Sequence, residues 1–172
     1  MTDASDIPIA RTPDGGWHGE MPPPVLAGCD EPLVAGAPDL RGLWETFQIE
    51  VKGEVLDNHP ALGQQQRIEQ CADRLVVTAG GIIHDMRCDG TEEHGVHDVA
   101  QIDYSTPIVV AASYEDGVHV LRPKGMPTTV TRRLDGDVMI WDYGGAFVAR
   151  LKRVNGPARR TDDGDGPLPP PS

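Results

Sequence analysis

Aromatic residues make up only 5% of this 172-residue chain, so its core must be packed mainly with aliphatic side chains. No apolar run approaches the roughly 18 residues of a membrane-spanning helix, which excludes a helical span. Basic residues are also scarce. Lys and Arg number 15 against 27 Asp and Glu, a formal net charge of −12. Such a surface repels nucleic acid and anionic membranes, so neither is an expected partner. The Arg-Arg pairs at 132–133 and 159–160 are too small to offset it. Cysteines number three, Cys29, Cys71 and Cys88, and an odd count argues against a disulfide-stapled secreted scaffold. The opening "MTDASDIPIA" has no basic region followed by an apolar run, so it does not read as a secretory signal. A cytoplasmic protein with buried free thiols is the expectation. Phosphate loops, G-x-G-x-x-G, H-E-x-x-H, C-x-x-C and G-x-S-x-G are all missing. No cofactor and no metal is therefore expected.

What is present is one domain's worth of strands between two unusual ends. Residues 1–38 carry "TPDGG", "MPPPV", "DEP" and "GAP", too much proline and glycine for a helix or a long strand. Their Ile7, Ile9, Trp17, Met21, Val25 and Leu26 suit an extended arm packed on the domain; disorder is the alternative. Residues 156–172 are proline-rich and polar and read as a disordered tail. Between them, over 39–155, short runs rich in β-branched residues alternate with turn signals. "LWETFQIEV", "DRLVVTA", "IIHDMRC", "TPIVVAASY", "DVMIWDY" and "AFVARLKRV" are among them. Gly80-Gly81, Asp116-Gly117 and Asp135-Gly136 offer two-residue hairpin turns. The pattern predicts an all-β fold, an antiparallel up-and-down barrel of about eight to ten strands. Closure hides the edges of so long a meander. A two-sheet sandwich is the alternative.

Gly42-Leu43-Trp44 resembles the G-x-W signature of the calycin superfamily, which includes lipocalins and fatty-acid-binding proteins. The resemblance covers about residues 41–154. It implies that Gly42 and Trp44 lie on the first barrel strand, with the indole closing one end of the barrel. It also implies a basic residue from the last strand lying across that indole, here Arg150 or Arg153. The chain departs from the superfamily's branches. Residues 51–64 are too short for the two helices of fatty-acid-binding proteins. The glycines that follow the tryptophan in the related haem barrels are missing, so haem is not carried over.

Period two in "IIHDMRC" puts Ile82, His84, Met86 and Cys88 on one face and Ile83, Asp85 and Arg87 on the other. The first face reads as the lumen. The second reads as solvated surface, with Asp85 and Arg87 able to pair. His119 alternates with Leu121, opposite Val118, Val120 and Arg122, and could join His84 inside. Trp141 and Tyr143 share a face. Tyr104 and Tyr143 offer hydroxyls to orient a ligand's oxygen. Arg122 could bind an acidic head group if it turned inward. If the arm crosses the barrel mouth it would act as a lid, with Trp17 and Met21 as its best anchors. Glu92, Glu93, His94, His97 and Asp98 crowd one turn, where His94 and His97 cannot share a strand face; they read as a solvated loop. Depending on register, Cys71 and Cys88 are opposed or diagonal, as thiols or as a disulfide.

Three functions compete. The first is binding of a small, largely apolar molecule in the cavity, with Met86, Trp141, Arg122 and Trp17 as contacts. The second is a cavity enzyme of isomerase or cyclase type, with His84, His119, Tyr104 and Tyr143 as its polar groups. The third is a filled barrel whose arm mediates homodimerisation.

Overall fold

Turn chemistry sets the rhythm of the chain. The structure, a computed structural model, describes residues 3–155. The tail expected over 156–172 lies outside the described residues. After a single 3-10 turn (Ala4–Asp6) come eleven strands: β1 (Gly42–Val51), β2 (Glu54–Leu56), β3 (Gln65–Cys71), β4 (Arg74–Ala79), β5 (Ile82–Arg87), β6 (Val96–Val99), β7 (Pro107–Glu115), β8 (Val118–Pro123), β9 (Val130–Asp135), β10 (Val138–Tyr143) and β11 (Phe147–Arg153). Gly80 and Gly81, at φ +46° and +90°, make the two-residue loop that pairs Ala79 with Ile82. Only glycine takes two successive left-handed positions without strain. The loop after β9 is Gly136-Asp137, one residue later than the sequence suggested, because Asp135 pairs with Val138.

All strands pair antiparallel in one sheet, in the order β5-β4-β3-β1-β11-β10-β9-β8-β7-β6, with β2 attached to β1 alone. The first long strand lies beside the last, and the sheet curls into a mostly closed up-and-down barrel. The count exceeds eight to ten because β2, a three-residue strand folded back antiparallel on the end of β1, is too short to be legible as a strand. The partial alternation of "LWETFQIEV" has a local cause. The register against β11 shifts between Thr46 and Gln48, a bulge that turns Phe47 outward and resets the phase.

The barrel's seam lies between β5 and β6. Near one end it is closed by Arg87 N–H to His94 O (2.8 Å) and Gly90 N–H to Ala112 O (2.7 Å). Elsewhere the arm bridges it. Arg11 reaches the carbonyl of His97, and the Thr12 N–H donates to Asp98 on the β6 side. The Thr12 hydroxyl accepts from Ile83 N–H and donates to Ile83 O on the β5 side. Strand edges that would otherwise be open are thereby satisfied.

The same arm covers the outer face of β3–β5. Ala4, Trp17, Met21 and Leu26 pack on Cys71, Val76 and Ile83, a second apolar cluster outside the barrel. This is why β4 is buried along its whole length, on both faces. It also overturns the solvated reading of Asp85. Arg74 and Asp85 form a fully buried pair at 2.5 Å, and Arg87 pairs with Asp73 instead. Arg74 donates to the carbonyls of Ala4 and Ile7, and Asp85 accepts from Ala10 N–H (2.9 Å). Burial raises the Asp85 pKa, and the Ala10 N–H and the Arg74 guanidinium counter that desolvation only in part.

The expectation of free thiols fails at two of the three cysteines. Cys29, on the arm, is joined to Cys71 at the end of β3, with Cα atoms 6.2 Å apart. Cys88 is free and buried in the barrel core. Cys71 and Cys88 are not neighbours, since β3 turns at Ala72-Asp73 and Cys71 faces the outer cluster. The odd count therefore carries no support for a reducing compartment. Among the described residues no helix is long and apolar enough to cross a membrane.

Candidate functional site

One end of the barrel is plugged. Trp44 is fully buried and donates its indole N–H to Leu40 O (2.8 Å). The Arg153 guanidinium lies 4.3 Å from the centre of its ring and donates to the carbonyls of Arg41 and Asp39. Gly42 makes that crossing feasible. At φ +138° a Cβ there would sit 3.2 Å from Arg153 Nε. Of the two candidate arginines, Arg153 caps the indole, and Arg150 lies 3.8 Å from Glu50 instead.

The other half of the lumen is hollow. A cavity of about 390 Å³ opens there, walled by Val77, Ala79, Ile82, Met86, Val96, Ile108, Val110, Leu121, Val130 and Trp141. These come from alternate positions of β4–β10, the inward set of each strand. Its rim carries exposed apolar side chains, Ile102 (91% exposed), Met126 and Tyr143. Below it the barrel is filled by Ile68, Leu75, Met139, Leu151 and their neighbours.

Among the polar groups of this wall are Gln66, His84 and Arg132. Arg132 lies in register between Trp141 on β10, which also lines the cavity, and His119 on β8, which is buried but does not line it. Arg132 is buried, donates through Nε to Gln66 Oε1 (3.2 Å) and lies 5.3 Å from the Trp141 ring. No carboxylate pairs with it among the described residues, and burial lowers its pKa to about 10. It stays charged at neutral pH. Arg132 Nη1, Trp141 Nε1 and both His119 nitrogens are buried without a hydrogen-bond partner among the described residues. Such groups carry a desolvation penalty that a polar guest or ordered water would relieve. Burial, with Arg132 adding to it, holds His119 well below the ordinary imidazole range, so it is neutral.

His84 also lines the cavity, and its Nε2 lies 3.0 Å from Val99 O across the seam. A carbonyl only accepts, so Nε2 carries the proton and Nδ1 is the bare nitrogen. Burial lowers its pKa as well.

The other named residues scatter. Met86 and Trp141 are in the cavity wall, and Tyr143 is at its rim, stacked on Phe147. Tyr104 does not line the cavity; its hydroxyl donates to Gly80 O (2.6 Å) at the mouth. Arg122 is outside, bonded to Glu115 at 2.6 Å, because the inward phase of β8 belongs to His119 and Leu121. Trp17, on the arm, is buried against the outer face of the barrel and donates its indole N–H to Ile82 O (3.0 Å), so it touches the hairpin tip from outside. The arm therefore does not cross the mouth. Ala100, Gln101 and Ile102, between β6 and β7, overhang it instead. His94 and Asp89 pair on the surface, as a solvated loop would.

The sequence alone does not single out Arg132 or Gln66, since Arg132-Arg133 stands out there only as a basic pair too small to offset the acidic charge. The phase of "TTVTRRL" was a usable signal, since Val130, Arg132 and Leu134 alternate against Thr131 and Arg133. Gln66 carried none.

No protein-family profile and no curated protein matches the sequence. The solved structure of human cRBP IV, a protein of the lipocalin/calycin family, matches with a TM-score of 0.51 at 16% identity. The match covers 67% of this chain and 98% of that one. A likeness at that identity establishes architecture alone: the chain has a calycin-like barrel fold.

Proposed function

We propose that the barrel binds a small, largely apolar molecule whose acidic or carbonyl head lies against Arg132. The observation that carries this reading is a buried guanidinium with no carboxylate partner among the described residues, set in the wall of an apolar cavity of about 390 Å³. That volume falls within the range of about 300–1,000 Å³ usual for small-molecule pockets. The apolar wall supplies affinity through burial, and Arg132, Trp141 Nε1 and Gln66 orient the head. The exposed apolar rim gives the guest a path that avoids polar surface.

Native mass spectrometry of protein freshly isolated from its own cell tests the reading directly. The expected result is a retained organic guest, lost from an Ala79→Trp variant whose new indole fills the cavity. If no guest is retained, and neither long-chain acids nor alcohols bind saturably to the emptied protein, the reading is wrong.

A further inference from the structure

Cys29, Glu31 and Cys71 bring two sulfur atoms and a carboxylate oxygen within 4.8 Å of one another, outside the barrel and away from the cavity. We propose that, when the Cys29–Cys71 disulfide is reduced, these three side chains form a binding site for a thiophilic divalent cation such as Zn²⁺. The arm makes the site preorganised in either redox state, because its attachment does not depend on the disulfide. Glu69 accepts from the N–H groups of Val25 and Leu26 on one side of Cys29. Val34 N–H donates to Ala72 O on the other, and Arg74 holds the carbonyls of Ala4 and Ile7. Cys29 and Glu31 are thus kept over the end of β3 after the sulfur–sulfur bond is gone. Ala4 N–H donates to Glu31 Oε1 (2.6 Å), which orients the carboxylate and leaves its second oxygen to ligate.

The geometry suits a tetrahedral ion. Zn–S bonds of about 2.3 Å set two thiolates roughly 3.8 Å apart. Side-chain rotation reaches that spacing with the Cα atoms 6.2 Å apart. Two thiolates and one carboxylate leave a fourth position for water, the pattern of an open zinc site. Thiolate ligands select Zn²⁺ over Mg²⁺ and Ca²⁺. The redox step balances. A dithiol reductant supplies two electrons and two protons, closing its own disulfide and leaving two thiols on the protein. The cation then displaces both thiol protons to solvent.

Titration of the reduced full-length protein with Co²⁺, after anaerobic removal of reductant, tests the proposal. One equivalent should bind, with near-ultraviolet thiolate-to-cobalt charge transfer and the intense visible bands of a tetrahedral ion. Oxidised protein should show neither. Cys29→Ser should remove the charge transfer, and Cys88→Ser should keep it. Glu31→Gln, which replaces a charged ligand with a neutral one, should keep it but weaken binding. Should Cys29→Ser fail to fold, the comparison of reduced with oxidised wild type and the Glu31→Gln titration still decide. Absence of charge transfer in the reduced protein, equal binding in both redox states, or loss of the signal in Cys88→Ser would overturn the proposal.

Discussion

Replacing Arg132 with methionine should make the protein more stable and a poorer binder. Burial lowers the Arg132 pKa from the ordinary guanidinium range to about 10. At about 1.4 kcal/mol per pH unit, holding the charge in place costs roughly 3 kcal/mol. The sign is consistent: the folded pKa of a base is depressed, so the penalty is fully present below about pH 10 and relaxes as pH rises through it. Against this stand the hydrogen bond to Gln66 Oε1, about 1 kcal/mol, and the contact with the Trp141 ring, about 1 kcal/mol. Methionine is close in length to the arginine stem and fills the space without a cavity. Arg132→Met should therefore stabilise by about 1 kcal/mol. Adding Gln66→Leu, which removes the amide left without a partner, should contribute about 1 kcal/mol more. Binding should move the opposite way. A carboxylic acid that loses its buried cation should bind weaker by about 2 kcal/mol or more, roughly thirtyfold. The matching alcohol should lose little. Urea unfolding gives the first quantity and calorimetry on the acid–alcohol pair the second. If Arg132→Met is destabilised, or if acid and alcohol weaken equally, Arg132 is a structural residue and the proposed head-group site fails.

Arg153→Ala should cost about 1 kcal/mol by uncapping Trp44, whereas Arg150→Ala should cost clearly less; equal urea midpoints would remove the capping role of Arg153. Asp85→Asn leaves Arg74 charged and buried without its partner, so it should cost about 3–5 kcal/mol and open the arm to limited proteolysis. An unchanged digestion pattern would mean that the pair does not hold the arm. His84 and His119 both have pKa values depressed by burial, so the unfolded chain takes up protons that the folded one refuses. Stability should be level above the ordinary imidazole value of about 6.5 and fall as pH drops below it, and His119→Leu should flatten part of that slope. A slope unchanged in the variant would place the acid sensitivity elsewhere.

Much of this protein is written in local sequence. Two-residue turns at Gly80-Gly81 and Asp116-Gly117, and period-two runs between them, specify hairpins because turn geometry and side-chain alternation depend on near neighbours alone. Gly42-Leu43-Trp44 marked the first barrel strand for the same reason, and the phase of "IIHDMRC" placed His84 and Met86 inside. What tertiary structure decided was every choice made across the sheet or across the arm. The strand β11 offers Arg150 and Arg153, and only its register against β1 selects the one that reaches Trp44. Asp85 lies next but one to Arg87, yet it pairs with Arg74, because the arm folds over it and excludes the water that would solvate an exposed partner. Cys71 meets Cys29 across 42 residues, a pairing fixed by where the arm runs and by nothing in its own spacing. Arg132 faces the cavity only because β3, β9 and β10 close around it, since a charge beside a charge in sequence says nothing of which one turns inward. Alternation is a property of the strand, but inside and outside exist only once the sheet has closed.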